Sequence, residues 1–169
     1  MARIRRGIGL AMLISALVAL FAPAVAQAIP PGPYSVWVRH SGLCLEVEAA
    51  GLQPGTPTLQ WHCHRANHQR WRLYPVTEGY YRLVVEHTGQ CLEVDHAGSH
   101  GARALQWTCH GGTHQQWSVI DLHNGFYQFQ ARHSSLCLEV QAASTAPGTP
   151  VLTWDCHGGW HQQWGLVQL

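Results

Sequence analysis

Apolar and polar residues alternate with a period of two in three segments: Tyr34-Ser-Val-Trp-Val-Arg39, Tyr81-Arg-Leu-Val-Val-Glu86 and Tyr127-Gln-Phe-Gln-Ala-Arg132. Such alternation predicts half-buried β-strands. A turn led by His40, His87 or His133 follows each segment and leads into a second short strand, Cys-Leu-Glu-Val, at Cys44, Cys91 and Cys137. A loop of small residues, Gly and Pro comes next, with Gly55, Gly101 and Gly148 at matched positions. A third strand then ends at Trp61, Trp107 and Trp154, two residues before a cysteine. Finally Gln-x-Trp opens a fourth strand at Trp71, Trp117 and Trp164. Glu78-Gly79 and Asn124-Gly125 lie between apolar runs, where tight turns would join one unit to the next. No stretch carries a helical period long enough to compete.

The Gln-x-Trp tryptophans are spaced by 46 and 47 residues and the Cys-Leu-Glu-Val cysteines by 47 and 46. Two independent phrases on one period define a threefold internal repeat, over approximately residues 34–76, 80–121 and 126–169. Four short strands per unit would also suit a propeller blade, but a propeller needs at least about four blades. Three units are expected to close as a threefold all-β barrel.

Residues 1–28 stand outside this pattern. Arg3, Arg5 and Arg6 precede an apolar run from about Ile8 to Ala22, and Ala26-Gln-Ala28 offers a small-x-small cleavage site, with Ala24-Val-Ala26 as a competitor. These features predict a secretory signal peptide, too short for a lasting membrane span, and a domain over residues 29–169. Arg5-Arg6 is poorly flanked for twin-arginine export, so general secretion is the expectation. Of ten basic residues, all arginine, three leave with the leader; the remaining seven face nine acidic residues, a formal charge of −2. No basic face for nucleic acid and no amphipathic helix for a membrane surface is legible. All 13 histidines stay in the mature part, so its charge should swing positive between about pH 7 and pH 5.

Six cysteines, two per unit, in an exported chain read as disulfides. Of the 15 pairings six cysteines allow, the repeat selects the one that maps onto itself within each unit: Cys44–Cys63, Cys91–Cys109 and Cys137–Cys156. Each closes a loop worth roughly 3 kcal/mol in the chain-entropy account.

Three repeats of about 46 residues carrying Cys-Leu-Glu-Val, Trp-x-Cys and Gln-x-Trp in register resemble the ricin B-chain type lectin domain, from Tyr34 to Leu169. The resemblance implies a β-trefoil and a sugar-binding function. It also implies a core role for Trp71, Trp117 and Trp164, as the burial value of three repeated indoles does independently. Sugar contacts carry over from the resemblance to Glu46, Trp61, His68 and Gln69 in the first unit, to Glu93, Trp107, His114 and Gln115 in the second, and to Glu139, Trp154, His161 and Gln162 in the third. The chemistry suits a pyranose. A carboxylate accepts charge-assisted bonds from hydroxyls, an indole covers the apolar C–H face, and imidazole and amide orient the rest. The sequence departs from the family pattern in having Glu for Asp, His for Asn, and Leu59, Leu105 and Leu152 two residues before the tryptophan, where Gln is common.

A second set of imidazoles, His64, His110 and His157, follows the cysteines. Cys-His-x-x-x-His admits a metal reading, but oxidised cysteines would withdraw the thiolates a structural zinc site wants. Bonds to backbone carbonyls within the unit are the expectation for these three. An enzyme would need one asymmetric constellation rather than three near-copies. The resulting expectation is a secreted, monomeric, non-catalytic protein that needs no cofactor and binds galactose-type or related glycans and polysaccharide. A protein-binding or inhibitor module on the same fold is the rival.

Overall fold

The computed structural model describes residues 29–169; the leader expected over residues 1–28 lies outside them. Each repeat forms the four strands its alternation predicts. The first has β1 (Pro33–Val38), β2 (Cys44–Val47), β3 (Thr58–Trp61) and β4 (Arg70–Pro75). The second has β5 (Tyr80–Val85), β6 (Cys91–Val94), β7 (Ala104–Trp107) and β8 (Trp117–Asp121). The third has β9 (Tyr127–Ala131), β10 (Cys137–Val140), β11 (Val151–Trp154) and β12 (Trp164–Gln168).

The first and fourth strands of each repeat pair antiparallel in one closed ring, β1–β4–β5–β8–β9–β12 and back to β1. Closure leaves this six-strand barrel without an edge to aggregate through. The second and third strands form three hairpins, β2–β3, β6–β7 and β10–β11, that cap one end. Each hairpin is tied to its barrel strand through its cysteine, in the pairs Trp37–Cys44, Val84–Cys91 and Gln130–Cys137. This is the β-trefoil, and the three expected disulfides, one per repeat, are formed.

Alternation does what the sequence pattern requires. Val36, Val38, Leu83, Val85, Phe129 and Ala131 turn into the barrel, where they meet Trp71, Trp117 and Trp164, all fully buried. Each indole N–H finds the one acceptor it needs inside, the carbonyl of Leu45, Leu92 or Leu138 in its own Cys-Leu-Glu-Val strand. The tryptophan therefore fixes the strand that carries the candidate-site glutamate, besides contributing about 2–3 kcal/mol of burial.

The repeats are stitched to one another at the cap. His40, His87 and His133 bond through Nε2 to the carbonyls of Ser144, Gly51 and Gly98, each in the loop of a neighbouring repeat. Gln60 and Gln106, buried in the third strands, donate to loop carbonyls of a neighbouring repeat as well. The turn at Glu78-Gly79 forms with both residues at positive φ, 61° and 78°. At the second junction His123 and Gly125 take the positive φ values, not Asn124.

Candidate functional site

Beside the first and third cap hairpins the second and third strands of the repeat, the strained turn after Cys-Leu-Glu-Val and the Gln-x-Trp turn enclose a hollow. In the first repeat it measures about 480 Å³ and is lined by Glu46, Glu48, Leu59, Trp61, His64 and His68. In the third it measures about 410 Å³, with Glu139, Gln141, Leu152, Trp154 and His157 in the matching places. Both lie within the size range of small-ligand sites.

Glu46, Glu93 and Glu139 stand on their strands opposite Leu59, Leu105 and Leu152. Their carboxylates are nearly buried, and the extra methylene relative to Asp folds each one back toward the Gln-x-Trp turn. Oε2 accepts a bond from Nε2 of Gln69, Gln115 or Gln162 at 2.6, 2.6 and 2.7 Å. Those glutamines are fully buried. The Gln69 oxygen accepts the backbone N–H groups of His64 and Arg65, and its amide also donates to the carbonyl of His62. All four hydrogen-bonding positions of that amide are filled from within the protein. The Gln69 amide has no group left over, and all three buried glutamines hold the carboxylates in place. Oε1 of each Glu takes no bond from another described residue and is not sealed off, and for Glu46 and Glu139 it is the oxygen left for the hollow they line.

The tryptophans before the second cysteine do the opposite of the core tryptophans. Trp61, Trp107 and Trp154 are 40%, 40% and 43% exposed. Each indole edge rests on the loop glycine of another repeat, Trp61 on Gly148, Trp107 on Gly55 and Trp154 on Gly101. A site is thus completed by a repeat other than its own.

His64 and His110 point their Nε2 at the Glu oxygen, at 3.1 and 3.0 Å, and His157 approaches it at 3.7 Å. The expectation that these imidazoles bond to backbone carbonyls is corrected: the carboxylate on the neighbouring strand of the hairpin draws them in. His40, His87 and His133 make the carbonyl bonds instead. His68, His114 and His161 lie 3.6 Å from the same oxygen, less exposed than the first set. Burial pushes their imidazoles below the ordinary histidine value. The neighbouring carboxylate pulls the other way, and two further imidazoles add to the lowering. They are therefore neutral at pH 7, each able to donate one bond and accept one.

Sequence reasoning missed the residue after Cys-Leu-Glu-Val. Glu48 and Gln141 line their hollows, next to Ala49 and Ala142 at φ 49° and 52°. The signal was present, since this position is polar in every repeat (Glu48, Asp95, Gln141).

The fold and these hollows define a disulfide-stapled β-trefoil that repeats one set of site side chains three times. The family profile of the ricin-type beta-trefoil lectin domain matches residues 34–164. The chain belongs to that family. Among solved structures it is similar to ThreeFoil, a designed 3-fold symmetric protein, with 42% identity and a TM-score of 0.81 over 82% of this chain and 99% of that one. An exo-β-1,3-galactanase from Clostridium thermocellum matches with 29% identity and a TM-score of 0.80 over 82% of this chain; the match spans 30% of the galactanase. The Macrolepiota procera ricin B-like lectin, solved in complex with lactose, shares the fold at 18% identity, with a TM-score of 0.72 over 85% of this chain and 100% of that one. No curated protein matches the sequence.

Proposed function

We propose that the protein is a secreted, non-catalytic carbohydrate-binding lectin whose three pockets engage glycans together. One observation carries the reading. In each repeat an exposed indole stands beside a glutamate whose Oε2 is tied down and whose Oε1 is free. An indole face and a pre-oriented acceptor are what an amphipathic pyranose needs. The first glycans to test are galactose-type, in keeping with the lactose complex of one structural relative and the galactanase attachment of another. Catalysis is disfavoured because the carboxylate oxygen nearest the imidazoles is committed to a buried amide, three times over. Export is supported by the three disulfides, which persist in oxidising compartments.

A shallow pocket of this kind binds a monosaccharide weakly, near millimolar or about −4 kcal/mol. Linked sites on a polymer gain roughly 10²-fold or more through effective concentration. The test is Glu93→Gln combined with Trp107→Ala, read by calorimetry with galactose or lactose and by retention on a galactan column. The expected result is loss of one monosaccharide site with the other two unchanged, and a much larger loss of column retention. No change in either assay on a folded double variant would refute the assignment of the second pocket. Wild-type protein that binds no glycan on a broad array would refute the reading as a whole.

A further inference from the structure

The thiolates of the Cys-His-x-x-x-His pattern are withdrawn into disulfides, yet its two imidazoles converge on a third ligand that the sequence pattern did not include. One ring nitrogen of each of His64 and His68 and a carboxylate oxygen of Glu46 lie within 4.8 Å of one another, and Nε2 of the two rings stands 3.1 and 3.6 Å from Glu46 Oε2. Bonds of about 2.0–2.2 Å from N and O ligands to a tetrahedral ion require edges of roughly 3.3–3.6 Å. The same trio recurs as Glu93, His110, His114 and as Glu139, His157, His161. It is not equivalent there. The backbone N–H groups of Gly112 and Gly159 donate to Nδ1 of His110 and His157 at 3.2 Å. Each bond keeps Nδ1 an acceptor, so these rings cannot move their proton from Nε2 to Nδ1 when an ion takes Nε2, whereas a metal-bound imidazole donates its other N–H outward. In the first repeat the matching residue is Ala66, whose N–H makes no such bond among the described residues. The imidazole pairs themselves are arranged alike, with ring centroids 5.1, 5.0 and 5.0 Å apart, so the backbone bond to Nδ1 is what distinguishes the repeats. Nδ1 of the half-exposed His64 is free to donate to water. The carboxylate already has its supporting bond, from Gln69.

We propose that the first repeat, and not the other two, binds one divalent transition-metal ion of the zinc class through Glu46, His64 and His68, with its remaining coordination positions open to the pocket. The proposal does not rest on sugar binding, because the ion is titrated without a glycan. The experiment is calorimetric titration of the disulfide-bonded protein with ZnCl₂, with CaCl₂ and MgCl₂ alongside, on wild type and on His64→Asn, His110→Asn, His100→Asn and Ala66→Gly. His100 is the control because it forms a separate exposed pair with Asp155. One zinc equivalent is expected on wild type, with no comparable signal from the oxygen-seeking ions. It should vanish in His64→Asn, persist in His110→Asn and His100→Asn, and weaken about tenfold in Ala66→Gly, which restores the competing backbone bond. Three equivalents, none, or one that follows His100 would overturn the proposal. Should His64→Asn fail to fold, the Ala66→Gly result decides, together with the loss of the His64 and His68 Nε2 proton signals on zinc addition to wild type.

Discussion

Replacing Gln69 separates a positioning role from a ligand contact, because its amide has no free group left to give a sugar. Gln69→Ala removes four hydrogen bonds, to Glu46 Oε2, the His62 carbonyl and the N–H groups of His64 and Arg65. Glu46 keeps its bond from His64, but three backbone groups lose their only side-chain partner. Each costs roughly 1–3 kcal/mol when sealed from water. The turn is partly exposed, so the lower end applies to each, and the cavity adds to it, giving about 3–5 kcal/mol. That is a large share of the roughly 5–15 kcal/mol typical of a whole domain.

Gln69→Glu is the sharper variant, since it keeps the size and both acceptor positions but sets a second carboxylate 2.6 Å from Glu46 Oε2. Two carboxylates that close share a proton, which raises the pKa of the pair in the folded state. A raised folded pKa contributes stability that is present below the unfolded value of about 4.3 and is lost as pH rises through the folded value. Urea unfolding under non-reducing conditions, with each variant compared with wild type at pH 4 and pH 7, reads this directly. Gln69→Glu should approach wild type at pH 4 and fall toward Gln69→Ala at pH 7. A Gln69→Ala loss below about 1 kcal/mol, or a Gln69→Glu deficit that ignores pH, would refute the idea that the amide holds the carboxylate in place.

Acid should destabilise the wild-type protein through His68, His114 and His161. Their folded-state pKa values are depressed by burial, so stability falls as pH drops below the unfolded value of about 6.5 and levels off below the folded one. Thermal unfolding from pH 7.5 to 5 checks this, and a His68→Gln, His114→Gln, His161→Gln triple variant should flatten the profile. Arg65 sits at φ 60°, where the other repeats have Gly111 and Gly158 at 78° and 73°. Arg65→Gly should therefore raise stability by about 1 kcal/mol, measured as a shift in the urea midpoint at unchanged slope.

The fold was legible because two phrases repeat in register and because strand alternation is local. Strand number, the barrel, the disulfide pairing and the buried Gln-x-Trp rings all follow from that. The site was legible to the level of residue type at each position, not to the level of what each side chain touches. Glu46 could have reached out or folded back, and the choice is made by a buried amide 23 residues away in the chain. His64 and His40 look alike along the sequence, one after a cysteine and one opening a turn. Which of them meets a carboxylate and which a carbonyl depends on a hairpin and on the loop of a neighbouring repeat. Pairing of tryptophans with glycines from other repeats was hidden for the same reason, since threefold symmetry alone does not say which neighbour supplies the loop.

That pairing makes the last prediction a test of whether a pocket belongs to its repeat. Gly55 has φ +89°, and a Cβ placed there would lie 3.2 Å from Cζ3 of Trp107, whereas one on Gly148 would lie 3.4 Å from the same atom of Trp61. Gly55→Ala strains the backbone by roughly 1–2 kcal/mol and makes the Trp107 ring give way by a few tenths of an ångström. Two-dimensional ¹H–¹⁵N spectra report each indole N–H separately, so the displaced ring is visible without a ligand. Gly55→Ala should move the Trp107 indole signal, in the second repeat, and leave Trp61 in its own repeat unmoved; Gly148→Ala should move Trp61 and spare Trp154. Glycan titration of the same variants should lose affinity at the pocket whose ring moved. A Gly55→Ala spectrum that shifts Trp61 and not Trp107 would mean that each pocket is private to its repeat. With the result expected here, a single excised repeat lacks one wall of its own pocket, so each ring needs a second repeat to complete its site.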